Sequence, residues 1–250
     1  MNCSSCCSKR SDGTGCLFER PHHLRVAAAL QLLDADLLRP SGCLFGGGTA
    51  ISLTHGEYRE SVDIDLLVSD RSGYRSLRER VMREGRIDAL ARGGSTLEQV
   101  RDVRADQYGI RTLLRVGGVE IKFEIIHETR IPLDVPADED QVCGISTLSR
   151  VDMAATKLLA NSDRWGDDSV FSRDLIDLAM IALSPSQKRR ALQKAADAYG
   201  DSIPRDLSRS IDRLRERTGR LEVCMDALSM SMPRAVLWSR IRGWRPKKRG

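Results

Sequence analysis

Two short motifs within twenty residues contain the residue types that bind phosphate and metal. Gly47 and Gly48 precede Thr49 in the first motif, and Asp63 and Asp65 stand two residues apart in the second. Paired glycines let backbone N–H groups approach a phosphate, and a helix that begins there adds its positive N-terminal end. Carboxylates two residues apart in a strand share a face, where a cation such as Mg²⁺ relieves their repulsion. The motifs indicate metal-dependent chemistry on a phosphorylated substrate.

Alternating helix and strand patterns surround these motifs. Residues 21–38 are predicted to form one helix, and a second helix is expected to begin at Thr49. Residues 61–69 read as a strand in which every second side chain from Val62 is apolar, so the two aspartates occupy its other face. Further along come a charged helix and a hairpin of two strands, predicted at 72–84, 108–116 and 119–127.

Beyond a loop rich in Pro and Asp at 131–140, the pattern is helical to the end of the chain. Helices are predicted at 147–161, 170–183, 186–199, 204–217 and 233–241. This order predicts an α+β fold, with a mixed sheet flanked by helices and followed by a helical C-terminal part. The expected divisions are a disordered tail at 1–16, a core at 17–135, and a basic helical domain at 136–250.

Composition favours a soluble protein, because 41% of the residues are hydrophobic and 30% are charged. The sequence has no apolar run near the roughly 20 residues of a membrane span, so we expect a cytoplasmic protein without membrane contact. Of the net charge of +5, residues 184–250 contribute +10, from 17 Lys/Arg and 7 Asp/Glu. Such a basic part fits either a polyanion-binding surface or ordinary solvated helix faces.

Cysteines crowd the N-terminus, where Cys3, Cys6, Cys7 and Cys16 lie within sixteen residues. Cys3 and Cys6 have the spacing of a metal knuckle, but no second pair of ligands follows at a usable distance. The odd total of seven cysteines argues against a disulfide framework. We therefore interpret this segment as a disordered tail.

Two blocks of the sequence resemble the AbiEii/AbiGii-type nucleotidyltransferase toxins, which belong to the DNA polymerase β-like superfamily. The first resembles the family pattern G-G-T-x-L-x-L followed by R-x-S-x-D-φ-D, where φ is apolar; the matching residues are Gly47, Gly48, Thr49, Ile51, Leu53, Arg59, Ser61, Asp63 and Asp65. The second resembles D-x-x-A-x-K followed by R-D-φ-φ-D-L; the matching residues are Asp152, Ala155, Lys157, Arg173, Asp174, Asp177 and Leu178. The resemblance covers about residues 45–180.

The resemblance implies roles for several of the matched residues. Asp63 and Asp65 would bind metal and, with Lys157 and Asp174, form the catalytic set. The nucleoside triphosphate would be held by Gly47, Gly48, Thr49, Ser61, Lys157 and Arg173. Arg59 could pair with a carboxylate instead of touching substrate. Asp177 is open between a role in the site and a surface ion pair with Arg173 four residues earlier.

A third metal-binding carboxylate is usual in this superfamily, on a neighbouring strand. Glu120 and Glu124 share one face of the strand predicted at 119–127, and we select Glu124 because it lies deeper in the strand. The superfamily more often has Asp at this place. An ordinary exposed strand face is the alternative interpretation.

The function implied is transfer of a nucleoside monophosphate from a nucleoside triphosphate to an acceptor hydroxyl, with Mg²⁺ or Mn²⁺ as cofactor. RNA is the expected acceptor, at the 3′ end of tRNA, in a toxin–antitoxin or phage-defence system with a cognate antitoxin protein. Nucleotidylation of a protein or small molecule is the alternative. A non-catalytic module with a relic site is disfavoured, because both aspartates, the glycines and Lys157 are all present.

Overall fold

The computed structural model describes residues 18–246, so the cysteine-rich tail predicted at 1–16 lies outside the described residues. The helices are α1 (Pro21–Leu32), α2 (Ala35–Leu38), α3 (Gly47–Thr54), α4 (Arg71–Glu84), α5 (Arg150–Arg164), α6 (Arg173–Met180), α7 (Pro185–Tyr199), α8 (Ser202–Glu216), α9 (Arg220–Ala227) and α10 (Arg234–Arg242). The strands are β1 (Leu44–Phe45), β2 (Ile64–Val68), β3 (Arg104–Ala105), β4 (Gly109–Val116), β5 (Val119–His127), β6 (Gln141–Val142) and β7 (Ile145–Ser146). Short 3-10 helices occur at Ile87–Leu90 and Asp168–Val170.

A five-stranded mixed sheet forms the centre of the fold, in the order β1-β2-β5-β4-β3. Only β2 and β5 pair in parallel, and the other neighbours in this sheet are antiparallel. The predicted hairpin of β4 and β5 is confirmed, with Gly117 and Gly118 in its turn. The strands β2 and β5 run in the same direction, and their register places Asp65 directly opposite Glu124.

Apolar side chains from the sheet and from the helices of both halves form one buried cluster. Ile64, Leu66 and Val68 of β2 are fully buried, as the alternation predicts. α5 packs against α3, α6, α7 and α8, so it joins the sheet region to the C-terminal helices. Ser149 caps its N-terminus, since the Ser149 side chain accepts a hydrogen bond from the backbone N–H of Asp152.

Two predicted elements in the first part of the chain have different bounds in the structure. The helix expected over 21–38 is interrupted after α1, because the backbone N–H of Asp34 bonds to Leu90 and its carboxylate caps α2 at Leu37. The strand expected over 61–69 begins only at Ile64. Val62, predicted to share the apolar face of this strand, lies before the strand and is 41% exposed.

The C-terminal part is less uniformly helical than predicted. It contains the β6–β7 hairpin, and α5 begins three residues later than expected because Leu148 donates a backbone hydrogen bond to Phe45 at 3.0 Å. α9 was missed entirely. No helix within residues 18–246 has both the length and the apolarity to cross a membrane. The domain division at residue 136 stays a prediction.

Candidate active site

An open cleft of about 360 Å³ lies between one face of the sheet, the N-terminus of α3, α5 and the start of α6. This volume falls within the range of roughly 300–1,000 Å³ that is common for small-molecule sites. The predicted residues that line it are Gly47, Gly48, Ser61, Asp63, Asp65, Glu124, Lys157 and Arg173. Thr49 and Asp174, which were also predicted, are buried behind this lining.

Asp63 and Asp65 bring two carboxylates to one wall of the cleft. The backbone carbonyl of Asp65 accepts a hydrogen bond from Gly46 at 2.8 Å, which fixes the strand against the glycine turn. Burial raises the pKa of Asp65, and the carboxylates of Asp63 and Glu124 raise it further. A cation bound at this wall would relieve that repulsion.

Glu124 faces Asp65 across the β2–β5 pair, but its oxygens are already engaged. Lys122 Nζ lies 2.7 Å from one oxygen, and Arg111 Nε lies 3.1 Å from the other. Over residues 18–246, no three His, Cys, Asp or Glu side chains are placed to hold a metal ion. Asp63 and Asp65 suit an oxygen-ligated cation, whereas Glu124 would first have to release a basic partner. Its metal role stays a prediction.

The glycine turn brings the backbone of α3 close to Asp65 on one side and to the side chains of Arg59 and Asp177 on the other. Gly47 has a φ of 66°, and a Cβ there would lie 2.9 Å from the Cβ of Asp65. A Cβ on Gly48 would collide with the guanidinium of Arg59 and stand 3.2 Å from Asp177 Oδ2. Glycine is therefore required at both positions, because the α3 N-terminus must approach these side chains closely.

Replacing Gly47 by alanine should lower catalytic turnover by about 100-fold, because the added methyl group pushes the Asp65 carboxylate out of position. Gly42→Ala is the matched control, since Gly42 has a similar φ of 62° but open space around it. Both variants share the backbone strain of a positive φ, so comparing their turnover isolates the contact with Asp65. Equal turnover in the two variants would contradict the assignment.

A buried network of charges lies behind the cleft and holds Lys157. Its ammonium nitrogen lies 2.7 Å from Asp177 Oδ2 and 3.1 Å from Asp174 Oδ1. Arg59 reaches Asp177 from the β2 side with two hydrogen bonds, of 2.6 and 2.9 Å. Arg164 makes a second bidentate pair with Asp174, at 2.6 and 2.9 Å. The network ties α5, α6 and the segment before β2 together.

Basic partners keep the two acidic members of this network ionised. Burial acts to raise the pKa of Asp177, but Arg59 and Lys157 overcome it and hold the pKa well below its usual range. The same balance holds at Asp174. Burial acts to raise the pKa of its carboxyl, but Lys157 and Arg164 outweigh this effect and lower the pKa. With their oxygens committed to these cations, both carboxylates position Lys157 at the cleft.

Sequence reasoning left Asp177 and Arg59 open, and the structure pairs them with each other. It missed Tyr58, whose hydroxyl donates to Asp177 Oδ1 at 2.6 Å. It also missed Arg164, although Arg164 follows Lys157 by seven residues on α5 and so falls on the same helix face. Lys122 and Arg130 are further basic residues of the cleft that no motif marked.

Ser61 connects the cleft to α1 through a buried histidine. The backbone N–H of Ser61 donates to His23 Nε2 at 3.2 Å, and His23 Nδ1 lies 2.7 Å from Glu57 Oε1. Burial lowers the pKa of His23 despite Glu57, which fits a neutral ring with its proton on Nδ1. Thr49 donates its hydroxyl to Ser61 at 2.8 Å. Thr49 thus supports Ser61, and its own contact with nucleotide stays a prediction.

Comparisons with known proteins agree on the class of this fold. A proposed nucleotidyltransferase from Helicobacter pylori is 15% identical, with a TM-score of 0.51, over 88% of this chain and 92% of its own. The structure of JHP933 from Helicobacter pylori is 18% identical, with a TM-score of 0.52, over 92% of this chain and 94% of its own. A search of curated proteins gave no match. At these identities the likeness shows the fold alone.

The fold is that of a nucleotidyltransferase. The family model described as nucleotidyl transferase AbiEii toxin, type IV toxin–antitoxin system, matches residues 31–236. The chain belongs to that family and is therefore a nucleotidyltransferase. His23 and the last turns of α10 lie outside the matched residues.

Proposed function

We propose that this enzyme is a toxin that transfers a nucleoside monophosphate from a nucleoside triphosphate to the 3′ hydroxyl of an RNA, with tRNA as the acceptor. The observation that carries the proposal is the placement of Asp63 and Asp65 beside the N-terminus of α3, in a cleft that Lys157 also lines. Two carboxylates for a cation and a set of donors for phosphate are the two requirements of nucleotidyl transfer.

In the proposed reaction, the acceptor oxygen forms a bond to the α-phosphorus of the triphosphate. The bond from that phosphorus to the oxygen bridging the α- and β-phosphates breaks, pyrophosphate leaves with that oxygen, and the proton of the acceptor hydroxyl passes to solvent water. Catalysis then rests on positioning and on neutralising the negative charge of the triphosphate. The residues of the cleft supply both.

The triphosphate would lie between the turn of α3 and the basic side chains of α5 and α6. Backbone N–H groups of Gly47 and Gly48 stand at a helix N-terminus, which favours a phosphate oxygen. Lys157, Arg164 and Arg173 face the cleft from the opposite side and would bind the remaining phosphate oxygens. Asp174 contributes by orienting Lys157 and Arg164.

Asp63 and Asp65 would hold Mg²⁺ or Mn²⁺, with Glu124 as a third ligand if it exchanges Lys122 or Arg111 for the ion. A divalent cation bound there supplies charge neutralisation at the phosphates. The family description names a type IV toxin–antitoxin system, so we further propose a cognate antitoxin protein as partner.

The test is to incubate the purified chain with Mg²⁺, total RNA and each of the four α-labelled nucleoside triphosphates in turn. An Asp63→Ala/Asp65→Ala double variant is the control. The expected result is label in a tRNA-sized band from the wild type alone, with one nucleotide preferred.

Absence of label from every RNA band would overturn RNA as the acceptor. The same reactions in a cell extract would then separate the remaining alternatives. Label in a protein or small molecule would indicate a different acceptor, and no label in any fraction would indicate a relic site.

A further inference from the structure

Most basic residues of the C-terminal helices are neutralised within the molecule. Asp168, for example, pairs with Arg213, Arg217 and Arg220 at 2.9 to 3.1 Å. Asp206 and Asp212 likewise pair with arginines of α8. The net charge of +10 over residues 184–250 is therefore not spread evenly over the surface of this part.

Four basic residues of this part pair with no carboxylate of residues 18–246: Lys188, Arg189, Arg240 and Arg242. They fall on the first turns of α7 and the end of α10. These ends meet, since Lys188 Nζ donates to the backbone carbonyl of Gly243 and lies 4.4 Å from the centre of the Trp244 ring. We call these four residues the α7–α10 surface.

The sequence around this surface contains no acidic residue. Residues 184–196 and 227–250 lack Asp and Glu altogether, and the second stretch continues through Lys247, Lys248 and Arg249. Arg189, Arg240 and Arg242 are exposed. Positive charge without an internal counter-charge attracts a polyanion strongly, and the gain comes from the counterions that the polyanion releases.

We infer that the α7–α10 surface binds the phosphate backbone of the acceptor RNA. This inference rests on the proposed function, and it names where the acceptor docks. α6 runs from the cleft, where Asp174 orients Lys157, to Met180, whose sulfur lies 3.2 Å from Arg240 Nη1. Six residues of helix span roughly 9 Å, well below the roughly 34 Å of one turn of duplex nucleic acid. One RNA can therefore reach both places.

RNA suits this surface better than a protein partner does. The centre of a protein interface typically combines arginine with aromatic residues and methionine that become buried by the partner, and lysine is depleted there. Here the exposed positions are arginines, and Trp244 is covered by Lys188 and buried. Exposed cations without an exposed aromatic anchor fit the charged backbone of a nucleic acid.

The test measures binding of labelled total tRNA to the full chain over a series of salt concentrations. The variant is Arg189→Gln/Arg242→Gln. The control, Arg205→Gln/Arg234→Gln, removes the same charge from exposed arginines that pair with Asp206 and Glu222. The surface variant should bind tRNA roughly tenfold more weakly at about 0.1 M salt, with a salt slope smaller by about 1 to 2. The control should stay within about twofold.

Equal tRNA affinity in the two variants would overturn the inference while the proposed function stands, provided that the wild type still labels RNA. Competition by poly-glutamate as effective as that by unlabelled tRNA would overturn it in favour of an acidic protein. A wild type without salt-dependent tRNA binding would also overturn it, and the labelling assay would then decide the proposed function separately.

Discussion

Replacing Asp65 by asparagine should abolish nucleotidyl transfer, with a loss of about 1,000-fold or more, and leave the fold intact. Asparagine keeps the size of the side chain and removes the negative charge that would bind the metal ion. Because Asp65 is half-buried beside Asp63 and Glu124, removal of its charge also relieves repulsion, so the free energy of unfolding should stay equal or rise. The measurement is initial transfer rate together with urea denaturation.

Glu120→Gln is the control for this variant. Glu120 lies on the same strand as Glu124, but it is about half exposed and pairs with Arg115 at 3.2 Å. Transfer by the control should remain within about twofold of the wild type. If Asp65→Asn kept its activity, or lost activity only through unfolding, Asp65 could not belong to the reaction centre.

Replacing Asp177 by alanine should lower the free energy of unfolding by about 3–5 kcal/mol. The substitution leaves Arg59 buried without its carboxylate and removes one of the two carboxylates that pair with Lys157. It also removes the acceptor of the Tyr58 hydroxyl. It should also reduce transfer, because Lys157 loses the closer of its two partners. Urea denaturation measures the stability change, and Asp197→Ala is the control, since Asp197 is exposed and accepts a hydrogen bond from Gln193. That control should change the unfolding free energy by less than about 0.5 kcal/mol.

The stability contributed by Asp177 should depend on pH in a defined direction. Its folded-state pKa is lowered, so the contribution is complete above the unfolded pKa of about 4 and is lost as the pH falls below it. The difference in unfolding free energy between wild type and Asp177→Ala should therefore shrink as the pH falls from 7 to 3. A difference that grew towards acid pH would contradict the network.

The sequence predicts the part of the site that depends on local spacing. Its local patterns put the two glycines at a turn before a helix, which starts two residues earlier than the predicted Thr49, and put Asp63 and Asp65 on one face of a strand. Lys157 was marked only by the resemblance to the family. The partner of Arg59 was not predictable, since Asp177 lies 118 residues away and meets it only through tertiary packing. The same holds for His23, whose contact with Ser61 crosses 38 residues.

Errors in the predicted elements have similar causes. Residues 21–38 have helical periodicity throughout, but the backbone bond from Asp34 to Leu90 and the cap at Leu37 interrupt the helix. The net charge correctly marks the C-terminal part as basic. It could not show which arginines are neutralised, because the carboxylate that binds three of them, Asp168, belongs to a different segment of the chain.

The most direct test of the central claim compares the same nucleoside triphosphate labelled at its α-phosphate and at its γ-phosphate. The purified enzyme is incubated with Mg²⁺ and RNA, and the label is measured in the RNA and in the released pyrophosphate. We expect α-label in the RNA and γ-label only in pyrophosphate. Label passing from the γ-phosphate to the acceptor, which would be phosphoryl transfer, would contradict it.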